Sequence, residues 1–393
     1  MKILMISETY PPSIGGVEKE VQTLSEGLIH HKNCRVSVFT INNNKLPRFR
    51  EENKVKIYRY NGFFQKIPFL YSDPNKKYHP PVRDIIITSL LKKIIKKEKP
   101  DIIHTHDWIL YSYLPLKNYF NIPVCATFHG FGFICPLRWS ESHNEGICSQ
   151  PLSIDCIKCS LPTYGLLKTL FSYIGVKRHE NFSSDIIIYT NPNIVEKMNN
   201  LKQKKIYIGH PINTDIYKKL MTRKFTDKLL CWVKLEKVKG IDIIFQVAKL
   251  LPEYEFHIPF IGKDKLYFKQ IKPKNVLFLK PIKTENIPVL LNKYPLILGQ
   301  FHLGAFGLSE LEAMSCGTPV IAYWNRKYDK FYNEQCPILS SNDINEIVNL
   351  IKTNIDNNNL REKSIKWIKN NHSIPIIIDK LYNVYENIIK EKN

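Results

Sequence analysis

Short apolar runs alternate with stretches of helical length along almost the whole chain, and the alternation restarts once. Such a pattern calls for α/β architecture with parallel sheets, because a strand covered on both faces reads as a continuous apolar run between helices. KILMIS (2–7), RVSVFT (35–40), VKIYRY (55–60), DIIHTH (101–106), PVCATFH (123–129), DIIIYT (185–190) and KKIYIGH (204–210) are the strand candidates of the first set. A helix is expected over 17–30. The second set begins at KLLCWVKL (228–235) and adds EFHIPFIG (255–262), NVLFLKP (275–281), PLILGQF (295–301) and PVIAYW (319–324). Its helices are expected at about 241–251, 309–316 and 343–353. Two doubly wound domains, 1–212 and 213–373, are the simplest reading, with a closing helix over 374–393 able to pack back on the first.

Bulk properties exclude little but bound the partners. An apolar fraction of 44% suffices for full cores. The formal charge of +21, from 57 basic and 36 acidic residues, favours anionic partners: nucleic acid, acidic lipid surfaces or phosphorylated substrates. No zinc-finger, helix-turn-helix or RNP-type signature accompanies it, so nucleic-acid binding rests on charge alone and is not expected. Met1-Lys2 runs straight into the apolar ILMIS without a cleavage pattern, and no apolar run reaches 18 residues. The expected location is cytoplasmic, with at most peripheral contact on the inner face of the cell membrane.

Three segments carry chemistry. In PPSIGGVEKEV, Gly15 and Gly16 stand where a strand meets a helix; glycines let backbone amides approach a ligand, and the helix N-terminus behind them favours phosphate. The spacing is not that of a dinucleotide fingerprint. In VKLEKVKGID, Lys234 and Lys239 share one loop ahead of a helix, where two ammonium groups can neutralise a diphosphate leaving group. In GQFHLGAFGLSELEAMSCGTPVIA, Gly304 and Gly307 mark a loop that feeds a helix carrying Glu310 and Glu312. Residues two apart on a helix point roughly 200° apart, so one carboxylate should be structural or solvated and the other turned toward a site.

These segments, in this order, resemble the family-four retaining glycosyltransferases of the GT-B fold (glycosyl transferases group 1). Further matching segments are DIIHTH, His129-Gly130, HPINTD (210–215), the K-x4-KG loop and FGLSELEAMSCGTPVIA. The resemblance implies two Rossmann-like domains facing across a cleft that holds a nucleotide sugar. It implies transfer of a sugar from a UDP-, GDP- or ADP-linked donor to a glycan or lipid-linked acceptor, with retention and without a catalytic metal. It further implies that Gly15 and Gly16 admit the donor's distal end and that Lys234 and Lys239 hold the diphosphate. The amides around Gly307, Leu308 and Ser309 would add phosphate contacts, Glu312 would hold the ribose hydroxyls, and His129 would stand beside the reacting sugar. The implied catalytic set is therefore His129, Lys239 and Glu312.

Three positions depart from the family's pattern. Lys234 stands where Arg is common, which keeps the charge but loses a bidentate fork. His210-Pro211 stands where Asn-Gly is common. Gly304, eight positions before Glu312, replaces the first acid of the family's paired-Glu motif, which contacts the donor sugar. The alternative that follows is a nucleotide-sugar-binding GT-B protein with little turnover, with His302 close enough in sequence to substitute.

Two features stand outside this scheme. Cys135, Cys148, Cys156 and Cys159 lie in an insert near 135–160, such as other family members carry. Four thiolates could hold a structural zinc, but the gaps of 12 and seven residues are less regular than in zinc ribbons, so disulfides or plain thiols stay open. The stretches 82–100 and 164–182 combine apolar residues with lysines. Each fits a helix lying on an anionic bilayer or an ordinary helix packed on the first sheet, and packing is expected for the first.

Overall fold

The computed structural model describes every residue except 14, 44–45, 68–69, 71–76, 139–140, 143–145, 149–151, 179–183, 197–200, 356 and 393. The chain forms two units, 1–211 with 374–393, and 212–373.

In the first unit the chain order is β1 (Lys2–Ser7), α1 (Gly16–Lys32), β2 (Arg35–Ile41), β3 (Phe49–Glu52), β4 (Val55–Tyr60) and α2 (Ile85–Glu98). There follow β5 (Ile102–His106), α3 (Leu110–Phe120), β6 (Val124–Phe128), a short hairpin of β7 (Glu141–Ser142) and β8 (Gly146–Ile147), and α4 (Asp155–Arg178). The unit continues with β9 (Ile186–Tyr189), α5 (Pro192–Glu196) and β10 (Lys204–Tyr207). Strand order is β10-β9-β6-β5-β1-β2-β4-β3. Every pairing in this eight-stranded sheet is parallel except β3 with β4. The central strands are buried throughout because helices cover both faces, which is why they read as unbroken apolar runs. The antiparallel β3 carries FREE, with no apolar alternation, so the sequence pattern does not announce it.

The second unit runs β11 (Lys228–Cys231), α6 (Ile241–Leu250), β12 (Glu255–Pro259), α7 (Lys265–Ile271), β13 (Val276–Leu279), α8 (Ile287–Lys293) and β14 (Ile297–Leu298). It closes with α9 (Leu308–Ser315), β15 (Val320–Ala322), β16 (Leu339–Ser340), α10 (Ile344–Asn354) and α11 (Asn358–Asn371). Its sheet is wholly parallel in the order β13-β12-β11-β14-β15-β16. Both units thus reverse strand order beside a central strand, the arrangement that opens a crevice at the strands' C-terminal ends.

The last helix, α12 (Ile374–Lys392), belongs to the first unit and buries Ile377, Ile378, Leu381, Val384, Tyr385 and Ile388. Gly27 of α1 makes room for it: a Cβ there would lie 2.8 Å from the Ile378 side chain. No described helix is long and apolar enough to cross a membrane.

Candidate functional site

At the C-terminal edge of the first sheet, adjacent strands β1, β5 and β6 deliver a set of ionisable side chains. His106 ends β5 and His129 follows β6, so their rings stack with centroids 5.2 Å apart. A 2.9 Å hydrogen bond joins His106 Nδ1 to His129 Nε2. On the other side of His129, its Nδ1 lies 3.7 Å from Glu20 Oε1 on α1. The second oxygen of Glu20 accepts a 2.7 Å hydrogen bond from His210 Nδ1. Glu20 is buried, and Oε1 has no hydrogen-bond partner among the described residues. Burial alone would raise its carboxyl, but His210 and His129 outweigh that and hold it below the usual carboxylate range. A charged carboxylate therefore sits behind His129, on the side opposite His106.

His104 is a different case. Its ring bonds Tyr385 Oη at 2.5 Å and Thr127 Oγ1 at 2.6 Å with no exposure, and burial pushes it down to about 3. It pins α12 to the sheet as a neutral residue. Burial, reinforced by His104 and His129, likewise drives His106 well below the ordinary value.

Beside this chain lies a second constellation that sequence reasoning missed. Glu8, just beyond β1, accepts both a 2.8 Å bond from the Trp108 amide and bonds of 2.9 and 3.0 Å from Arg138 Nη2. The Arg138 guanidinium lies 3.8 Å over the Trp108 ring and also donates to the His79 carbonyl at 3.1 Å. Burial pushes Glu8 up to about 7 against the pull of Arg138. Asp107 and Arg138 adopt left-handed φ of 61° and 69°, conformations that cost non-glycine residues energy and gather at sites of function. Gly15 and Gly16 open α1 without a side-chain cap, which leaves the helix start to its own amides.

In the second unit, Lys234 is exposed just beyond β11, and Lys239 closes a short 3-10 turn before α6. Gly240 has φ 77°, and a Cβ there would come 2.8 Å from the Phe301 Cβ, so the turn needs glycine twice over. Lys239 Nζ donates to Gln300 Oε1 at 2.9 Å. Gln300 in turn donates from Nε2 to the Ala305 carbonyl, and its backbone amide donates to Glu310 Oε1 at 3.1 Å. Glu310 Oε2 accepts the Gly307 amide at 2.9 Å. This relay ties the lysine loop to the N-terminus of α9, where Leu308 and Ser309 begin the helix. Of the two carboxylates on α9, Glu310 is thus the structural one; burial raises its carboxyl, and Lys239 draws it back. Glu312 lies on another face of the helix and is also buried, at 7% exposure.

The Gly304 loop is rebuilt around glycine. Its φ is 63°, and a Cβ would lie 2.9 Å from Tyr323 Cε1, so an acid cannot simply be restored there. His302 is held by Asp242 at 2.9 Å rather than turned loose toward a ligand. Cys135 and Cys156 are buried, Cys148 and Cys159 half-buried, and none of the nine cysteines forms a disulfide. No group of three or more His, Cys, Asp or Glu with metal-holding geometry occurs among the described residues. A cavity of about 460 Å³ lies at the opposite edge of the first sheet, lined by Met1, Asp101, Pro123 and Lys390. It is remote from the strand ends that carry these groups.

Comparison with known proteins agrees with this anatomy. Residues 14–148 match the model of Glycosyltransferase Family 4, and residues 215–371 match that of Glycosyl transferases group 1. An uncharacterized glycosyltransferase of Methanocaldococcus jannaschii is 24% identical over 82% of this chain and 80% of its own. Among solved structures, sucrose-phosphate synthase from Thermosynechococcus elongatus superimposes with a TM-score of 0.72 at 16% identity, covering 99% of both chains. HepE of Anabaena, solved with UDP and glucose, gives 0.64 at 13% identity over 98% of this chain and 99% of that one. The catalytic domain of starch synthase IV from Arabidopsis thaliana, bound to ADP and acarbose, gives 0.63 at 14% identity, covering 99% of both.

Proposed function

Because the chain belongs to the group 1, family-four glycosyltransferases and has their GT-B fold, we propose that it moves a sugar from a nucleotide-sugar donor to a glycan or lipid-linked acceptor with retention. The observation that carries the donor half is the Lys239–Gln300–Glu310 relay. It places an ammonium group on the same rigid frame as the α9 N-terminus. A nucleoside diphosphate leaving group develops negative charge as the glycosidic bond breaks, and preorganised cations and helix amides stabilise it without reorganising. Lys234 adds a second, exposed charge beside the same loop. Glu312 takes the ribose hydroxyls in this reading, and Glu310 keeps the helix start in place. UDP and ADP in the structural neighbours support this class of donor.

In the first unit, His129 stands next to the transferred sugar, with Gly15 and Gly16 admitting the donor's distal end. Glu20 acts in this reading as a positioning residue through its charge, 3.7 Å from His129 Nδ1, and His210 holds Glu20. His210, one of the positions that depart from the family's pattern, is thereby bonded to a buried carboxylate of α1. An acceptor hydroxyl attacking the anomeric carbon from the leaving-group face, as the bond to the phosphate oxygen breaks and that oxygen takes the hydroxyl proton, gives retention, with the developing charge met by lysines and helix amides. The rebuilt Gly304 loop removes an acid from the sugar end and implies a donor sugar with fewer hydroxyl contacts there.

A panel of UDP-, GDP- and ADP-sugars, followed by nucleotide release and thermal shift, tests this function. One base should stabilise the protein and release nucleoside diphosphate slowly without acceptor and faster with it. Stabilisation by none of them contradicts the reading.

A further inference from the structure

The sequence gives 82–100 and 164–182 the same double meaning, and the structure separates them (residues 179–182 lie outside those described). α2 turns Ile87, Leu91, Ile94 and Ile95 into the core. α4 does the reverse beyond Gly165, where the backbone leaves helical geometry at φ 70°. Thr169, Ser172 and Val176 face inward, none more than 4% exposed, and Gly175 lets the helix approach so closely that a Cβ would lie 2.4 Å from the Pro81 carbonyl. Outward stand Leu166, Leu167, Phe171 and Ile174, at 60%, 84%, 42% and 60% exposure. The outward face continues off the helix: the Phe171 ring contacts Phe64 at 5.9 Å, which contacts the exposed Phe63 at 5.5 Å.

A helix that packs its hydroxyls against the protein and presents leucine, phenylalanine and isoleucine to water is inverted relative to an ordinary surface helix. A contiguous apolar face of this kind marks an interaction surface. Charge identifies the occupant. The one acid of α4 is Asp155 at its start, paired with Lys158 at 3.5 Å; beyond Gly165 the helix carries no Asp or Glu but has Lys168 and Lys177. Lys177 is exposed, as is Lys66 close in sequence to Phe63. An apolar face with lysines at its edge and no acid beyond Gly165 suits the interface of an anionic bilayer, where apolar side chains enter the acyl boundary and lysines stay at the headgroups.

We propose that the outward face of α4, extended by Phe63, docks the first unit on an anionic membrane surface by inserting Leu166, Leu167, Phe171 and Ile174. The inference goes beyond the proposed donor chemistry and stands without it; a lipid-linked acceptor would give the docking a purpose.

The test is flotation of the full chain with vesicles of phosphatidylcholine alone or mixed with phosphatidylglycerol. Binding to the mixed vesicles, little to the neutral ones, and release at high salt are expected. The double variant Leu167→Glu/Phe171→Glu should bind at least about tenfold more weakly, because two apolar side chains leave the bilayer and two charges replace them. The control pair Ile216→Glu/Met221→Glu, on exposed apolar positions of the second unit, should bind as the parent does. Since even surface variants can disturb folding, Leu167→Trp provides an independent readout: its emission should shift blue with anionic vesicles and not with neutral ones. Three results overturn the proposal: no binding to anionic vesicles, binding unchanged in the double variant, or no blue shift. A concentration-dependent dimer that the double variant abolishes, without vesicle binding, would assign the face to a second copy instead.

Discussion

The two units share a fold but not a chemistry. At the strand ends of the first, histidines and carboxylates are buried and bonded to each other: His106 to His129, Glu20 to His210, Glu8 to Arg138. At the corresponding edge of the second, Lys234 is exposed, Lys239 is half-buried, and the polar relay serves to fix a loop and a helix start. The difference teaches how labour is divided. Lysines and a helix terminus can capture a diphosphate, while an internally braced histidine is suited to positioning a reacting group rather than to supplying binding energy.

Substitutions should respect this division, and the largest effect belongs to the second unit. Lys239→Ala removes both the charge proposed to face the leaving group and the start of the Gln300 relay. A fall in kcat/KM of roughly 100- to 1000-fold is expected, with loss of donor-induced thermal stabilisation. Steady-state kinetics and thermal shift on one preparation check it; an intact thermal shift would break the comparison. Glu20→Gln comes next. It keeps the shape and removes the charge behind His129, so kcat should fall about 10- to 100-fold with donor KM little changed. A KM effect alone would move Glu20 into the donor site.

Much of this was legible in the sequence, because parallel strands and glycine turns leave local patterns. The two sets of strands, the GG turn, the lysine loop and the expectation that one of Glu310 and Glu312 is structural all came from short windows. The bracing of His129 did not. Glu20 meets His210 across 190 residues and Glu8 meets Arg138 across 130, and no periodicity marks either contact. Gln300, at the end of the expected strand PLILGQF, carries no signal of its own in the sequence and is the centre of the relay. α4 hides its nature for a physical reason: hydroxyls and apolar groups share its buried side while leucine, phenylalanine and isoleucine stand outward, so the usual reading of amphipathicity gives no direction. α3 escaped notice because it carries Pro115 inside the helix.

Two smaller effects sharpen the contrast further. Buried neutral histidines concentrate in the first unit: burial lowers His79 to about 4 and His104 to about 3, and holds His106 well below its ordinary value. The unfolded chain takes up these protons first as pH falls below about 6.5. Their stabilisation is thus complete above that value and is lost toward pH 4, by up to about 1.4 kcal/mol per pH unit for each histidine. Hydrogen exchange followed peptide by peptide between pH 7 and 5, corrected for intrinsic rates, should show protection falling first in β5 and β6. Equal loss in β11 and β14 would count against the assignment. Gly304→Glu, although it recreates the family's acid, should not raise activity and should destabilise by about 1–3 kcal/mol, since φ 63° and the Tyr323 ring oppose a side chain. Denaturant unfolding measures it, and a gain in turnover would show that the loop re-forms around the acid.

The claim that the second unit holds the donor while the first positions the reacting group is tested most directly by calorimetric titration. The nucleoside diphosphate of the preferred donor is titrated into parent, Lys239→Ala and Glu20→Gln proteins. The account predicts affinity close to the parent's for Glu20→Gln and a loss of at least about tenfold for Lys239→Ala. The reverse pattern, binding lost with Glu20 and kept without Lys239, would contradict it.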